Sequence, residues 1–286
     1  MTPEFKHAQY LRDLGRHEEA VANLHRHLAH HPDDSLGHIE LPINRLNMEG
    51  QLTNALEDAR RATGLMPGEP FPLALQSRIL SRLDREKEAL PMAESAIALD
   101  PEFEYAWSSK AIALIGLSRW KEAEESLRQA LEIDPDSETA SNLLSHALRM
   151  QNRLNESEDE SRRRLARDPE NAFSFANSGW AALQRGQIKE AERLFKESLR
   201  LDPNMEYARE GLKQSYRARS AFFRLFLKWA FFMQRFSEGN RLAIAIGMIV
   251  GFKLLRHLFA SVNPILVIPL AVVYYLFLFG TWVASG

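Results

Sequence analysis

Six prolines stand at near-constant intervals along the chain: Pro32, Pro67, Pro101, Pro135, Pro169 and Pro203, in steps of 35, 34, 34, 34 and 34 residues. A fixed period of this length constrains the fold more than any composition does. Each unit must be one supersecondary element that buries its apolar face only against its neighbours. Other columns keep the same phase. Twelve residues before each proline stand Ala20, Ala55, Ala89, Ala123, Ser157 and Ala191, and twenty-one before stand Leu11, Leu46, Leu80, Leu114, Leu148 and Ala182. Seventeen before stand Gly15, Gly50, Asp84, Ser118, Asn152 and Gly186, mostly residues suited to a tight turn or a helix end. The pattern predicts two helices per unit. The small residue lets them approach, the leucine fills their seam, and the proline closes one unit and opens the next.

Trp107, Leu114, Ala123, Leu127, Ala130 and Pro135 carry the pattern almost complete, and Phe175, Gly179, Ala191, Phe195 and Pro203 nearly so. This spacing resembles the tetratricopeptide repeat (TPR) family over residues 1–203. The resemblance implies a non-enzymatic solenoid whose first helices line a concave groove for a partner's protein segment. Repeat phase puts Asn44, Arg78, Tyr105, Ser109, Ile112, Asn142, His146, Asn177 and Trp180 toward that wall. One subclass of the family holds the C-terminal carboxylate of chaperones with a Lys/Asn/Arg clamp. Here Asn142 and Asn177 are fragments of that set at most, so a chaperone-tail receptor is not expected. The fifth unit departs from the pattern: Ser157, Ser161 and Arg164 stand where the family prefers small or apolar residues. It is the expected weak joint, its second helix read as a solvated one or as a contact surface.

The charge is asymmetric. Residues 204–286 carry a balance of +7 and residues 1–203 one of −9, a division that points to membrane or nucleic acid. Residues 204–219 read as a polar helix that caps the array. Residues 220–239 follow, with Phe222, Leu225, Phe226, Trp229, Met233 and Phe236 at helical spacing and Arg217, Arg224, Lys228 and Arg235 in a separate stripe. Basic on one side and aromatic on the other suits a helix lying in a membrane interface, with packing on the last repeat as the alternative. The aromatics lead into apolar segments, so lipid, not nucleic acid, is the expected partner.

Residues 264–283 hold no charge over twenty positions and would extend about 30 Å as a helix, the thickness of a bilayer core. Residues 242–260 span a bilayer only if Lys253 and Arg256 snorkel to the far headgroups. Two topologies follow: a hairpin of both segments within 241–284, which is favoured, or a single tail anchor with 242–260 at the surface. Both leave the repeats cytoplasmic, because the basic cluster 209–241 stays with them. Ala243, Gly247 and Gly251 form a small-residue stripe for packing inside the hairpin or for homo-oligomer formation.

Chemistry finds little support. There is no cysteine, P-loop, G-x-G-x-x-G, G-x-S-x-G or H-E-x-x-H. Seven of nine histidines lie in the first 38 residues, and His27 and His31 have a spacing that suits zinc. No carboxylate is clearly placed to complete that site, so neither metal nor cofactor is expected. The sequence thus predicts an all-α protein: six TPR units, a capping helix, an amphipathic helix and a C-terminal transmembrane hairpin. It would be a membrane-anchored adaptor, with a self-assembling structural subunit as the alternative.

Overall fold

The computed structural model describes residues 2–236 and, within 243–254, all but 245 and 248; of Phe222 it describes the backbone only. Among these residues there are fourteen named helices and no strand. Twelve pair into six hairpins. These are α1 (Pro3–Asp13) with α2 (His17–His30), α3 (Ser35–Arg45) with α4 (Leu52–Leu65), and α5 (Pro70–Arg82) with α6 (Glu86–Leu99). Then come α7 (Glu104–Gly116) with α8 (Trp120–Ile133), α9 (Glu138–Met150) with α10 (Leu154–Arg167), and α11 (Ala172–Arg185) with α12 (Ile188–Leu201). Next are α13 (Glu206–Arg217) and α14 (Ala221–Met233). The chain divides into two compact units, residues 1–143 and 144–286, the division falling within α9.

The periodic columns have one structural cause each. All six turn positions adopt positive φ, from 55° at Asp84 to 82° at Gly186. That conformation reverses the chain after the first helix and returns the following N–H groups to its last carbonyls, as where Arg119 N–H reaches Leu114 O at 2.8 Å. Glycine adopts it freely, whereas Asp84, Ser118 and Asn152 bear a steric cost. Every member of the small-residue column, Ser157 included, is wholly buried. Four second helices also begin alike, an arginine at the N-cap pairing a glutamate three residues on: Arg16–Glu19, Arg85–Glu88, Arg119–Glu122 and Arg153–Glu156. These pairs are exposed and each contributes only about 0.2–1 kcal/mol. They mark the phase more than they hold the fold.

In the fifth hairpin the second helix is exposed or half-buried along most of its length, but two of the residues that depart from the pattern are not solvated. Ser157 and Ser161 are buried, and their hydroxyls lie 3.0 and 2.7 Å from that of Ser145. Ser157 Oγ also donates to Ser145 O at 2.7 Å, so a hydrogen-bonded knot fills the seam between α9 and α10 in place of apolar side chains.

The array closes on Phe195. Its ring is wholly buried where α11 and α13 present Gly179 and Gly211, and a Cβ on either would stand 2.8 or 2.3 Å from the ring. A bidentate pair from Arg219 to Glu192, at 2.7 and 2.6 Å, ties the end of α13 to α12.

Helix α14 packs on α11, but by a face other than the one expected. Leu227 and Phe231 are buried beside Ala182 and Leu194, with Phe223 packed against them, and the Phe231 ring meets Trp180 edge-on at 6.2 Å. The physical reason is that α14 is apolar around most of its circumference, so the protein takes one strip and leaves another. Leu225 is 67% exposed and Phe232 40%.

The expected spans, 242–260 and 264–283, fall largely on residues outside the described ones, and with them the choice between hairpin and single anchor. Among the described residues no helix is long and apolar enough to cross a membrane. The described part of 243–254 is helical, with Ile246, Val250 and Leu254 about half exposed or more. Added Cβ atoms at Gly247 and Gly251 would meet nothing within 4 Å, so the Ala243–Gly247–Gly251 stripe has no packing partner among the described residues.

Candidate functional site

The first helix of each hairpin carries the positions that repeat phase singles out. In the first unit Arg78, on α5, lays its guanidinium over the ring of Tyr105, on α7, 4.7 Å from the centroid. Phe71 and Phe103 flank the same ring at 5.4 and 5.9 Å. Burial raises the Tyr105 pKa, and the opposing pull of Arg78 does not cancel it, so the hydroxyl is held neutral. Ile112 is half-buried on the same helix. Two other assigned residues turn inward and act in packing. Asn44 is wholly buried, its carbonyl 3.1 Å from His17 Nδ1 and its amide donating to Glu40 O. Ser109 is buried and donates to Tyr105 O at 2.7 Å. Asn142 is buried as well.

In the second unit the structure gathers His146, Asn177 and Trp180 around Tyr207, which stands three repeats after Tyr105 in the same phase. The Tyr207 hydroxyl donates to Asn177 Oδ1 at 3.2 Å and lies 3.4 Å from His146 Nδ1. Trp180 Nε1 donates to Tyr207 O at 3.2 Å, and Phe173 stacks on the tyrosine ring at 5.2 Å. Arg149 completes the group, donating from Nη2 to His146 Nδ1 at 3.3 Å and to Tyr207 Oη at 3.4 Å. Burial first, and then the charge of Arg149, drive the His146 pKa down to about 3, so this imidazole is neutral near pH 7. Burial likewise raises the pKa of Tyr207.

Neither Arg149 nor Tyr207 is among the residues expected from sequence. The available signal was helical spacing: Asn142, His146 and Arg149, at i, i+4 and i+7, share one face of α9. Asn177, nearly inaccessible, joins wall and core, so its substitution perturbs both.

The residues assigned to a membrane interface divide. Arg224 and Lys228 are exposed, as is Arg217, whose guanidinium lies 5.9 Å from the Phe223 ring. Phe226, Trp229 and Met233 are half-buried. Arg235 Nη2 donates to Asn152 Oδ1 at 2.8 Å, a contact within the protein. The side chain of Phe222 is outside the description.

At the N-terminal end His27 is buried, with Nδ1 2.8 Å from Thr2 Oγ1 and Nε2 2.5 Å from Asp34 Oδ2. Thr2 and Asp34 cap α1 and α3 respectively, so the imidazole joins two helix N-termini. Among the described residues no group of three His, Asp or Glu is placed to hold a metal ion.

Two models of the tetratricopeptide repeat match the chain, at residues 83–145 and 174–205. The chain carries TPR repeats. Among solved structures, a chain of the APC/C hetero-tetramer Cut9–Hcn1 matches over 74% of this chain, at 17% identity and a TM-score of 0.65. The chain spans only 42% of that protein's length. PilW, a type IV pilus biogenesis factor, matches over 73% of this chain and 96% of its own, at 18% identity and a TM-score of 0.63. A thermophilic TPR protein of Thermus thermophilus matches over 64% of this chain and 98% of its own, at 17% identity and a TM-score of 0.58. At such identities the likeness is one of fold. No curated protein matches the sequence.

Proposed function

We propose that the chain is a non-enzymatic TPR scaffold that holds an extended segment of a partner protein along its first helices while its C-terminal region binds a membrane. The observation that carries the first part is the recurrence of one arrangement in both units. A half-buried tyrosine is held against the first helix of the preceding repeat, Tyr105 under Arg78 and Tyr207 against Trp180. Repeated aromatic and polar edges along consecutive helices suit a segment running across several repeats.

Membrane attachment is supported by three features. Residues 264–283 are uncharged, Arg224 and Lys228 are exposed on α14, and exposed apolar side chains follow from Leu225 to Leu254. In this reading the repeats are cytoplasmic and the membrane segment is a hairpin. Groove contacts come from Arg78, Tyr105, Ile112, His146, Asn177 and Trp180.

A photo-crosslinking amino acid in place of Ile112 should trap a partner in cells, whereas the same group in place of Glu125, exposed on the second helix α8, should not. Equal trapping from both positions would refute the first-helix reading. Crosslinks only to further copies of this chain would favour the self-assembling subunit.

A further inference from the structure

Between residues 211 and 237 the chain has six Lys/Arg and no Asp/Glu. Three of the six are answered within the protein: Lys213 by Glu206 and Glu210, Arg219 by Glu192, and Arg235 by the side-chain carbonyl of Asn152. Arg217, Arg224 and Lys228 are exposed, and among the described residues none of them pairs with a carboxylate.

The last two occupy a definite place on α14. A helix turns about 100° per residue, so Phe223, Leu227 and Phe231, the strip packed on the last repeat, centre on one line. Leu225, Trp229 and Phe232 centre on a line about 170° away, where Leu225 and Phe232 are exposed. Arg224 and Lys228 lie between the two lines, about 80–90° from each, and the other flank carries Phe226 and Met233 without a charge. The outer line stays aromatic past the end of the helix: Trp229 meets Phe232 at 5.5 Å, and Phe232 meets Phe236 edge-on at 5.1 Å.

We propose that α14 is a membrane attachment separate from the apolar segments that follow it, and that its partner is an anionic bilayer surface. Leu225, Trp229 and Phe232 enter the boundary between headgroups and acyl chains. Arg224 and Lys228 reach the lipid phosphates and carboxylates from one flank, and the last repeat rides on the opposite side of the helix. Apolar side chains outermost, cations above them and protein above both is the order that an interface rewards. The inference rests on the membrane reading above and names the lipid and the strip that meets it. Because α14 is docked on α11, it also decides which side of the last repeat lies over the bilayer. A second copy suits the strip less. Two-fold pairing sets like patches against each other, and no carboxylate between residues 211 and 237 would answer the partner's cations.

The test uses the full chain, which has no native cysteine, with a small environment-sensitive dye on a single cysteine replacing Leu225, Phe232 or, as a control, exposed Asn204. Each protein is reconstituted into vesicles of phosphatidylcholine alone or mixed with phosphatidylserine, both with brominated acyl chains that quench on contact. In the mixed vesicles, quenching at 225 and 232 should exceed that at 204 by roughly threefold or more, and it should fall by about half in phosphatidylcholine alone. Arg224→Gln with Lys228→Gln should abolish that dependence on phosphatidylserine without releasing the protein from the vesicles. High salt should do the same in the unsubstituted chain, a measurement that needs no variant to fold. Protein that floats with the vesicles while 225 and 232 are quenched no more than 204 overturns the inference and leaves the membrane reading standing. Equal quenching with and without phosphatidylserine overturns the anionic partner and with it the proposal. A dye at 225 shielded from aqueous quenchers in detergent, before any lipid is added, would mean that protein covers the strip, and overturns it too. Failure to float with either vesicle removes the membrane reading and this inference together.

Discussion

At the scale of the residue, the most informative side chains are polar groups taken out of water. His146 is neutral in the folded protein because burial and Arg149 both oppose its protonation. In the unfolded chain it titrates near 6.5, so the unfolded state binds more protons between that value and about 3. Stability from this group is therefore complete above the unfolded pKa and falls as pH drops below it. Denaturant unfolding should show a loss of about 2 kcal/mol between pH 7 and pH 5 that His146→Gln does not show. An equal loss in both proteins would mean that the imidazole is hydrated. The serine knot of the fifth repeat belongs to the same scale. From sequence Ser157 and Ser161 mark a weak joint, because a hydroxyl at an apolar position signals water unless its partner is known. The partner, Ser145, stands 12 residues away on another helix. No periodicity exposes such a match.

At the scale of the element, legibility follows from how many constraints share one period. Turn position, small-residue column and proline all recur with the repeat, so hairpin phase is readable over 203 residues. The left-handed conformation at Ser118, with φ of 57°, makes a direct test. Ser118→Gly should raise stability by about 0.5–1 kcal/mol, and Gly186→Ala should lower it by a similar amount or more, both read by thermal or denaturant unfolding. Helix α14 is the opposite case. Periodicity locates an apolar face only where the rest of a helix is polar, and here aromatics fall all round. The strip that docks is set by the reach of Trp180, a tertiary fact. Phe231→Ala should accordingly destabilise the last repeat, by roughly 3 kcal/mol for a buried aromatic. Leu225→Glu should leave unfolding unchanged and weaken flotation with anionic vesicles. A stability loss in Leu225→Glu equal to that in Phe231→Ala would place both residues in the core.

At the scale of the whole molecule, the last repeat is closed by α13 and α14. A chain cut after Arg219 would uncover Trp180 and the apolar side chains beside it, so it should be less stable than the intact protein despite its polar capping helix. Membrane topology is the other whole-molecule expectation. Single cysteines replacing Ser261 or Ser285 have no background, since the native chain has no cysteine. With the repeats inside sealed cells, a hairpin predicts labelling by an impermeant thiol reagent at 261 and protection at 285. The reverse pattern would mean a single anchor. Arg149 also matters at this scale. A buried guanidinium whose contacts are long and uncharged carries a desolvation cost that its packing does not recover. Arg149→Met, which keeps the length of the side chain and removes the charge, should therefore melt at the wild-type temperature or above it, so that this position gives up stability in the native sequence.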